Sequence, residues 1–236
     1  MNIIYITGDI HGDINKVKDF CEFYNTTQKD ILILLGDVGF NYYLNERDEL
    51  MKTIASELPI TLFCIRGNHE ARPLSTNCDY IPKPFCGGMI LQEEQFPNIK
   101  FAVDGEVYYF NNKKCLVLGG AYSVDKQYRI MMHWHWFPDE QLSKTERNTI
   151  YNNIAGDTFD YILSHTCPYN TRPTHLFIPS INQSMVDNST EKWMQDIADN
   201  VGFTKWYFGH FHDNWQNDNY IMLYNKVIRL GEDLDE

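Results

Sequence analysis

Three short apolar runs in the first third of the chain each end at a glycine followed by a side chain that can bind a metal ion. The runs cover residues 3–7, 31–35 and 60–65, and each is typical of a buried strand. Apolar residues then recur at helical spacing, after the first run at Ile14, Val17, Phe20 and Tyr24 and after the second at Leu50, Ile54 and Leu58. This alternation predicts an α/β domain whose glycine loops meet at the carboxyl ends of parallel strands.

Turn residues organise the middle and the end of the chain. Residues 71–98 contain four prolines and Gly87-Gly88 and predict a long, largely irregular loop of the kind that shapes access to a site. Residues 107–110 and 115–118 flank Asn111-Asn112 and predict a hairpin. A second hairpin is predicted near the end, from residues 220–224 and 227–230.

The second half also contains helix and strand patterns. Pro138 predicts the start of a helix that ends near Asn153, and residues 160–163 predict a strand that leads to Ser164-His165. One of residues 188–190 is expected to cap a later helix, whose apolar stripe is Trp193, Met194, Ile197 and Val201. Residues 203–208 then predict the strand before Gly209-His210.

The composition fits a single globular domain over residues 1–236, with 43% hydrophobic and 22% charged residues. The six cysteines show no CxxC spacing, which favours reduced thiols. We expect neither a signal peptide nor a membrane span, so the expected location is cytoplasmic. A formal net charge of -12 without a Lys/Arg cluster disfavours long nucleic acid as a partner.

Five motifs carry the polar side chains: GDIHG at residues 8–12, GD at 36–37, GNHE at 67–70, SH at 164–165 and GHFH at 209–212. Asp9 alternates with His11, and His210 with His212, so in extended backbone each pair would point to one face. Imidazole nitrogens mixed with carboxylate or amide oxygens are the ligands preferred by divalent metals of intermediate softness. The motifs therefore predict a metal site.

In this order the motifs resemble those of the calcineurin-like metallophosphoesterase superfamily, and the resemblance spans residues 8 to 212. It implies a four-layer α/β/β/α sandwich of two mixed β-sheets flanked by helices, with a dinuclear metal site at the C-terminal ends of the strands. It also implies metal-dependent hydrolysis of a phosphomonoester or phosphodiester, by in-line attack of a metal-bridging hydroxide. The expected partner is a small phosphorylated substrate or nucleotide, and the sequence does not indicate an oligomeric state.

The resemblance also assigns the metal ligands. It implies one set of three side chains for each ion: Asp9, His11 and His212 for the first, and Asn68, His165 and His210 for the second. Asp37 would bridge the two ions. Manganese is the expected metal of both sites, and iron or zinc would fit the same ligands.

Further residues are expected beside the metals. By the same resemblance His69 would be the general acid, and Arg66 would contact a phosphate oxygen. Residues 121–138 resemble a substrate-facing loop, with Tyr122 and Arg129 as candidate contacts.

The second motif departs from the phosphoprotein phosphatase branch, which continues it as GDxVDRG. Here Asp37 is followed by VGFNYY at residues 38–43, so the Asp that orients the catalytic histidine in that branch and its substrate Arg are both missing. A member outside that branch is expected, and the group that orients His69 stays open. Tyr42 and Tyr43 could stack on a ring or merely pack beside a cleft.

Some residues and functions compete with this interpretation. His133 and His135 alternate like ligands but are interleaved with Met and Trp, which favours a packed loop or substrate wall. Cys167 follows His165 closely, and a packing role is favoured over a ligand role. The alternatives to a small-molecule phosphoesterase are a nuclease or nucleic-acid repair enzyme and a non-catalytic scaffold of the same fold.

Overall fold

The first part of the protein alternates strands and helices in a computed structural model that describes residues 2–234. Its first five elements are β1 (Ile4–Thr7), α1 (Ile14–Tyr24), β2 (Ile31–Leu34), α2 (Glu46–Ser56) and β3 (Thr61–Cys64). The three strands are parallel neighbours, and all their residues are buried. The predicted α/β pattern is confirmed. The three glycine loops follow the carboxyl ends of these parallel strands and so lie on the same side of the sheet.

The prediction that residues 71–98 are largely irregular is wrong. They contain an antiparallel hairpin of β4 (Tyr80–Phe85) and β5 (Gly88–Glu93), which continues into β6 (Ile99–Ala102). Cys86 and Gly87 form the turn with φ of 48° and 89°. Pro82 and Pro84 fit because β4 is an edge strand, so their missing N–H groups can lie on its unpaired side.

Six later strands form a second sheet. They are β7 (Val107–Phe110), β8 (Lys113–Leu118), β9 (Thr158–Ser164), β10 (Gly202–Phe208), β11 (Trp215–Asn217) and β12 (Tyr220–Met222). The hairpin predicted around Asn111 and Asn112 is confirmed, and their φ values of 49° and 65° suit its tight turn. Strands β8, β9 and β10 are parallel, so the loops after β9 and β10 emerge at the same edge.

The later helices are α3 (Lys126–Met131), α4 (Lys144–Ile154) and α5 (Ser189–Asn200). The helix expected from Pro138 begins later, because Ser143 and Glu146 form a reciprocal capping box. The apolar stripe predicted for α5 is buried as expected. No helix within residues 2–234 is long and apolar enough to cross a membrane.

The hairpin predicted near the end is also wrong. Strand β12 pairs with β10 and β11, whereas β13 (Ile228–Arg229) crosses to the first sheet and pairs with β1. The connection passes over the first glycine loop, where a Cβ on Gly8 would lie 2.0 Å from the Leu223 carbonyl oxygen. Only glycine permits this approach.

The two sheets pack face to face with helices outside them. Their strand orders are β13-β1-β2-β3-β6-β5-β4 and β11-β12-β10-β9-β8-β7. One apolar cluster joins the facing sides of the sheets, a second joins the first sheet to α1 and α2, and a third joins the second sheet to α4 and α5. This is the expected four-layer α/β/β/α sandwich. The ligand loops of both sheets lie together at the carboxyl ends of their strands.

Helix α2 buries a different face from the one predicted. Leu50 and Ile54 are 61% and 44% exposed, whereas Lys52 is buried. Lys52 Nζ forms a short ion pair with the buried Glu93 of β5. The reason for the error is that the partner of Lys52 lies in a hairpin 41 residues further along the chain.

We predict that Lys52→Met lowers the free energy of unfolding by about 3–5 kcal/mol, because it leaves the Glu93 carboxylate buried without its counter-charge. The double variant Lys52→Met/Glu93→Leu should recover most of this loss. Urea unfolding followed by circular dichroism measures both effects. Lys18→Met, which removes the exposed pair with Glu22 on α1, is the control and should cost less than about 1 kcal/mol. Equal losses at Lys52 and Lys18 would contradict the prediction.

Candidate metal centre

The carboxyl ends of five strands bring the predicted ligands together. Loops after β1, β2 and β3 carry the ligands of the first sheet, and loops after β9 and β10 carry those of the second. The residues so collected are Asp9, His11, Asp37, Asn68, His165, His210 and His212. They come from both sheets, so the site exists only when the two sheets are packed together.

The ligand loops reach this geometry through turns. The prediction that the backbone is extended at His11 and at the His210-His212 pair, so that alternate side chains share a face, is wrong. His11, His210 and His212 have φ of 47°, 71° and 56°, in the left-handed region, as does Asp37 at 45°. Hydrogen bonds between loops hold these conformations, including the His11 N–H to the Asp37 carbonyl at 2.8 Å. Such backbone strain clusters at functional sites.

A first group of candidate ligands consists of Asp9, His11 and His212, whose ligand atoms lie within 4.8 Å of one another. The Nε2 atoms of His11 and His212 are 2.9 Å apart, and His212 Nε2 lies 3.3 Å from Asp9 Oδ2. Burial lowers the pKa of His11 to about 4, so this imidazole is neutral at pH 7. A neutral imidazole can offer a nitrogen lone pair to a cation.

A second group consists of Asp9, Asp37 and His165, which satisfy the same distance limit. His165 Nε2 lies 3.6 Å from Asp37 Oδ2 and 2.8 Å from Asn68 Oδ1. The ring of His210 packs against that of His165 with centroids 5.0 Å apart. Asp9 therefore belongs to both groups. Asp37, which the resemblance implied as the bridging residue, lies beside Asp9 in the second group.

The hydrogen bonds around His165 leave two acceptors facing each other. His165 Nδ1 donates to the Leu35 carbonyl at 2.8 Å, which leaves Nε2 with its lone pair. Asn68 Nδ2 donates to Ser123 Oγ, so its Oδ1 is the atom that faces His165. Two acceptors at 2.8 Å repel each other unless a cation lies beside both.

The carboxylates show the same lack of a positive partner. The Oδ2 atoms of Asp9 and Asp37 are buried and accept no hydrogen bond from the described residues. Burial, followed by the neighbouring charge of Asp9, raises the pKa of Asp37 well above its usual range. The residues present therefore fit a pair of divalent cations, which would compensate both carboxylates and satisfy the facing acceptors.

Two supports of the site carry buried carboxyl groups that the sequence interpretation did not assign. Glu70, the last residue of the GNHE motif, accepts hydrogen bonds from the backbone N–H groups of Val38, Gly39 and Gly67. It thereby ties the loop after β2 to the loop after β3. In the sequence, the position of Glu70 inside the GNHE motif is the feature that indicates this role.

The second support is a relay that fixes the amide of Asn68. Asn68 Nδ2 donates to Ser123 Oγ at 2.8 Å, and Ser123 Oγ donates to Glu140 Oε2 at 2.6 Å. The Ser123 N–H and the Trp136 indole also donate to the Glu140 carboxylate. This relay determines which side of the Asn68 amide faces His165. No local pattern in the sequence indicates it.

The expectation that Arg66 contacts phosphate is not supported by its position. Arg66 is 4% exposed, and it donates to the Glu140 carbonyl at 2.6 Å and to Asp104 at 3.1 Å. Its guanidinium is packed against Gly120, where a Cβ would lie 2.6 Å from Nη2. Arg66 thus braces the loop after β3 against the loop after β8.

His69 and Tyr122 both line a cleft that opens from the ligand groups. The His69 side chain is 18% exposed, and its Nε2 lies 3.9 Å from Asp37 Oδ2. Burial, followed by the charge of Arg129, lowers the pKa of His69 to about 2, so it is neutral in the protein alone. Arg129 is held by Asp125 and contacts the hydroxyl of Tyr42.

The competing candidates lie outside both ligand groups of the described residues. His133 is exposed, His135 packs between Tyr42 and Phe137, and Cys167 is fully buried. The Tyr42 ring packs edge-on against Tyr43 at 4.9 Å between centroids. The positions of His135 and Cys167 agree with packing roles. His133 and its neighbours Met131, Met132 and Trp134 are exposed, so the packed loop predicted there is not confirmed.

We predict that Ser123→Ala lowers the affinity of the protein for one of two bound Mn²⁺ ions by about 10- to 100-fold, because the Asn68 amide loses the acceptor that orients it. Competition with a fluorescent chelator measures the two affinities separately. Ser56→Ala, at the end of α2, is the matched control. Two unchanged affinities in the Ser123 variant would contradict the assigned role of the relay.

Comparisons with known proteins agree with the motifs. The model of the calcineurin-like phosphoesterase family matches residues 3–214. The serine/threonine-protein phosphatase PP2A-like PPG1 of Candida albicans is 33% identical over 75 residues, which are 31% of this chain and 18% of that protein. The chain thus aligns with about a fifth of the length of this curated relative.

A solved structure, TT1561 of Thermus thermophilus, is similar over 97% of each chain, with 13% sequence identity and a TM-score of 0.46. The family assignment rests on the family model, because its match covers most of the 236 residues and includes all five motifs. The chain belongs to the calcineurin-like phosphoesterase family.

Proposed function

We propose that this protein hydrolyses a small phosphomonoester or phosphodiester with two divalent transition-metal ions held by the ligand groups around Asp9 and Asp37. The observation that carries the proposal is the pair of buried carboxylates, surrounded by neutral imidazoles and lacking a positive partner. The mixed nitrogen and oxygen ligands suit manganese, iron or zinc, and we propose manganese as the metal to test first.

When bound, the two cations would lower the pKa of a water molecule and neutralise phosphoryl oxygens during in-line attack. The role of the protein chain is to hold the ligand side chains rigidly, through Glu70 and the Ser123-Glu140 relay. Rigid placement reduces the reorganisation needed to reach the transition state.

His69 is proposed as the donor of a proton to the leaving oxygen. It lines the cleft beside Asp37, and its ring lies 5.8 Å from that of His11. Its low pKa applies to the protein without substrate, and the negative charge of a phosphoryl group beside the imidazole would raise it. Tyr122 lines the cleft and is proposed as a contact of the bound substrate, whereas Arg129 lies outside the described lining and is proposed only as a charge near His69.

We predict that Asp37→Asn lowers kcat/KM by at least about a hundredfold and reduces the bound metal below two ions per chain, because the amide removes a negative charge from the second ligand group, where Asp37 lies with Asp9 and His165. Elemental analysis and hydrolysis of nitrophenyl phosphate measure the two effects. Asp19→Asn, at an exposed position on α1, is the control. An active Asp37 variant with two tightly bound ions would overturn the two-metal proposal.

We predict that His69→Asn keeps both ions and lowers kcat by about 10²- to 10⁴-fold, as expected for the loss of a general acid. The loss should be larger for an alkyl ester than for a nitrophenyl ester, because a nitrophenolate leaves without protonation. His133→Asn is the control, since its exposed left-handed position tolerates Asn. Equal losses for both esters would contradict the acid role.

A substrate panel separates the remaining alternatives. It contains nitrophenyl phosphate, bis-nitrophenyl phosphate, cyclic nucleotides, a phosphopeptide and single-stranded DNA and RNA at several salt concentrations, with Asp37→Asn as the blank. Salt-sensitive cleavage of nucleic acid alone would favour a nuclease. Two bound ions without cleavage of any member would favour a scaffold.

A further inference from the structure

The cleft beside the candidate metal centre is lined by two chemically different sets of residues. Its volume is about 340 Å³, within the range of small-molecule sites. Asp37, Asn68, His69 and the histidines after β10 form the first set. The second set comes mainly from one segment, residues 172–188, which has no strand in either sheet.

Apolar side chains dominate this second set, and we call the following six the apolar wall: Val124, Leu176, Phe177, Ile178, Ile181 and Phe211. Ile178 is 54% exposed and Val124 is 38% exposed. Single exposed apolar residues are ordinary, but here they converge in a concave cleft next to a reaction site. The rings of Phe177 and Phe211 lie nearly parallel, with an interplanar angle of 20°.

The segment that carries the wall is anchored near both of its ends. Arg172 donates to the Asn188 side chain at 2.6 Å and lies over the Tyr169 ring at 3.5 Å from its centroid. Asp187 accepts a hydrogen bond from Gln141. The two ends of the segment are therefore fixed, which reduces the conformations open to the wall between them and so the entropic cost of binding against it.

The charges of the cleft disfavour a second phosphate on the substrate. Among the described lining residues, Arg172 is the single lysine or arginine, and Asn188 and Tyr169 already engage it. Asp125 is paired with Arg129, and Glu191 adds a buried carboxyl group. A polyphosphate or nucleic acid extending from the metal centre would therefore find no lysine or arginine with uncommitted partners among the described lining residues.

We infer that the cleft binds a phosphoester whose organic group is apolar and planar and carries no further phosphate, with that group against the apolar wall. This inference rests on the proposed function, which places the phosphoryl group at the metal centre. It goes beyond that function by naming the class of the organic group.

Two phosphonates test the inference without turnover, because their carbon–phosphorus bond is not a phosphoester. Methylphosphonate and 2-naphthylmethylphosphonate share the charged head group and differ by the ring. Calorimetric titration of the Mn²⁺-loaded protein should give about tenfold or tighter binding of the naphthyl compound. Ile178→Asn and Ile181→Asn should each reduce this preference by about threefold or more, with little effect on methylphosphonate.

The matched control is Ile54→Asn on α2, which changes a similarly exposed isoleucine outside the cleft and should keep the full preference. Equal affinities of the two phosphonates for the unmodified protein, or a preference that survives both wall variants, would overturn the inference. If the unmodified protein prefers the naphthyl compound but hydrolyses no ester of the substrate panel, only the proposed function is overturned. Hydrolysis without any preference would overturn only the inference.

Discussion

The placement of two buried carboxylates, Asp9 and Asp37, constrains the rest of this structure. Burying unpaired charge is costly, and neither carboxylate has a lysine or arginine partner among the ion pairs of the described residues. Neutral imidazoles surround them, and buried supports such as Glu70 hold their loops. The fold thus maintains an excess of negative charge at one edge of two sheets, which is the condition for binding cations tightly.

Most of the fold, and the gathering of the candidate ligands at one place, could be predicted because the signals are local. Each ligand follows a buried strand within a few residues, and parallel strands must bring such loops to one edge. The apolar runs that form the strands also form the facing sides of the sheets. The apolar runs were therefore sufficient to predict the parallel strands and their glycine loops, and the resemblance of the five motifs implied the four layers and the candidate ligands.

Several of the errors concern partners that are distant in sequence. Arg66 looked available beside a motif, but Asp104 and Glu140 engage it. Helix α2 showed apolar spacing, yet it buries Lys52 against Glu93. The Ser123-Glu140 relay joins loops after β3 and β8 with a turn before α4. A side chain that a remote residue neutralises cannot be distinguished, in the sequence, from one that is free to act.

The crossing of the chain from the second sheet back to β1 has a consequence for biosynthesis. Leu223 covers Gly8, and β13 pairs with β1, so the first ligand loop is enclosed by residues that leave the ribosome more than 200 positions later. Contacts of such long sequence separation are slow to form, because closing the long loop between them costs entropy. The first ligand loop is therefore enclosed only after residues 223 and 228–229 have been synthesised, although its own ligands leave the ribosome among the first residues of the chain.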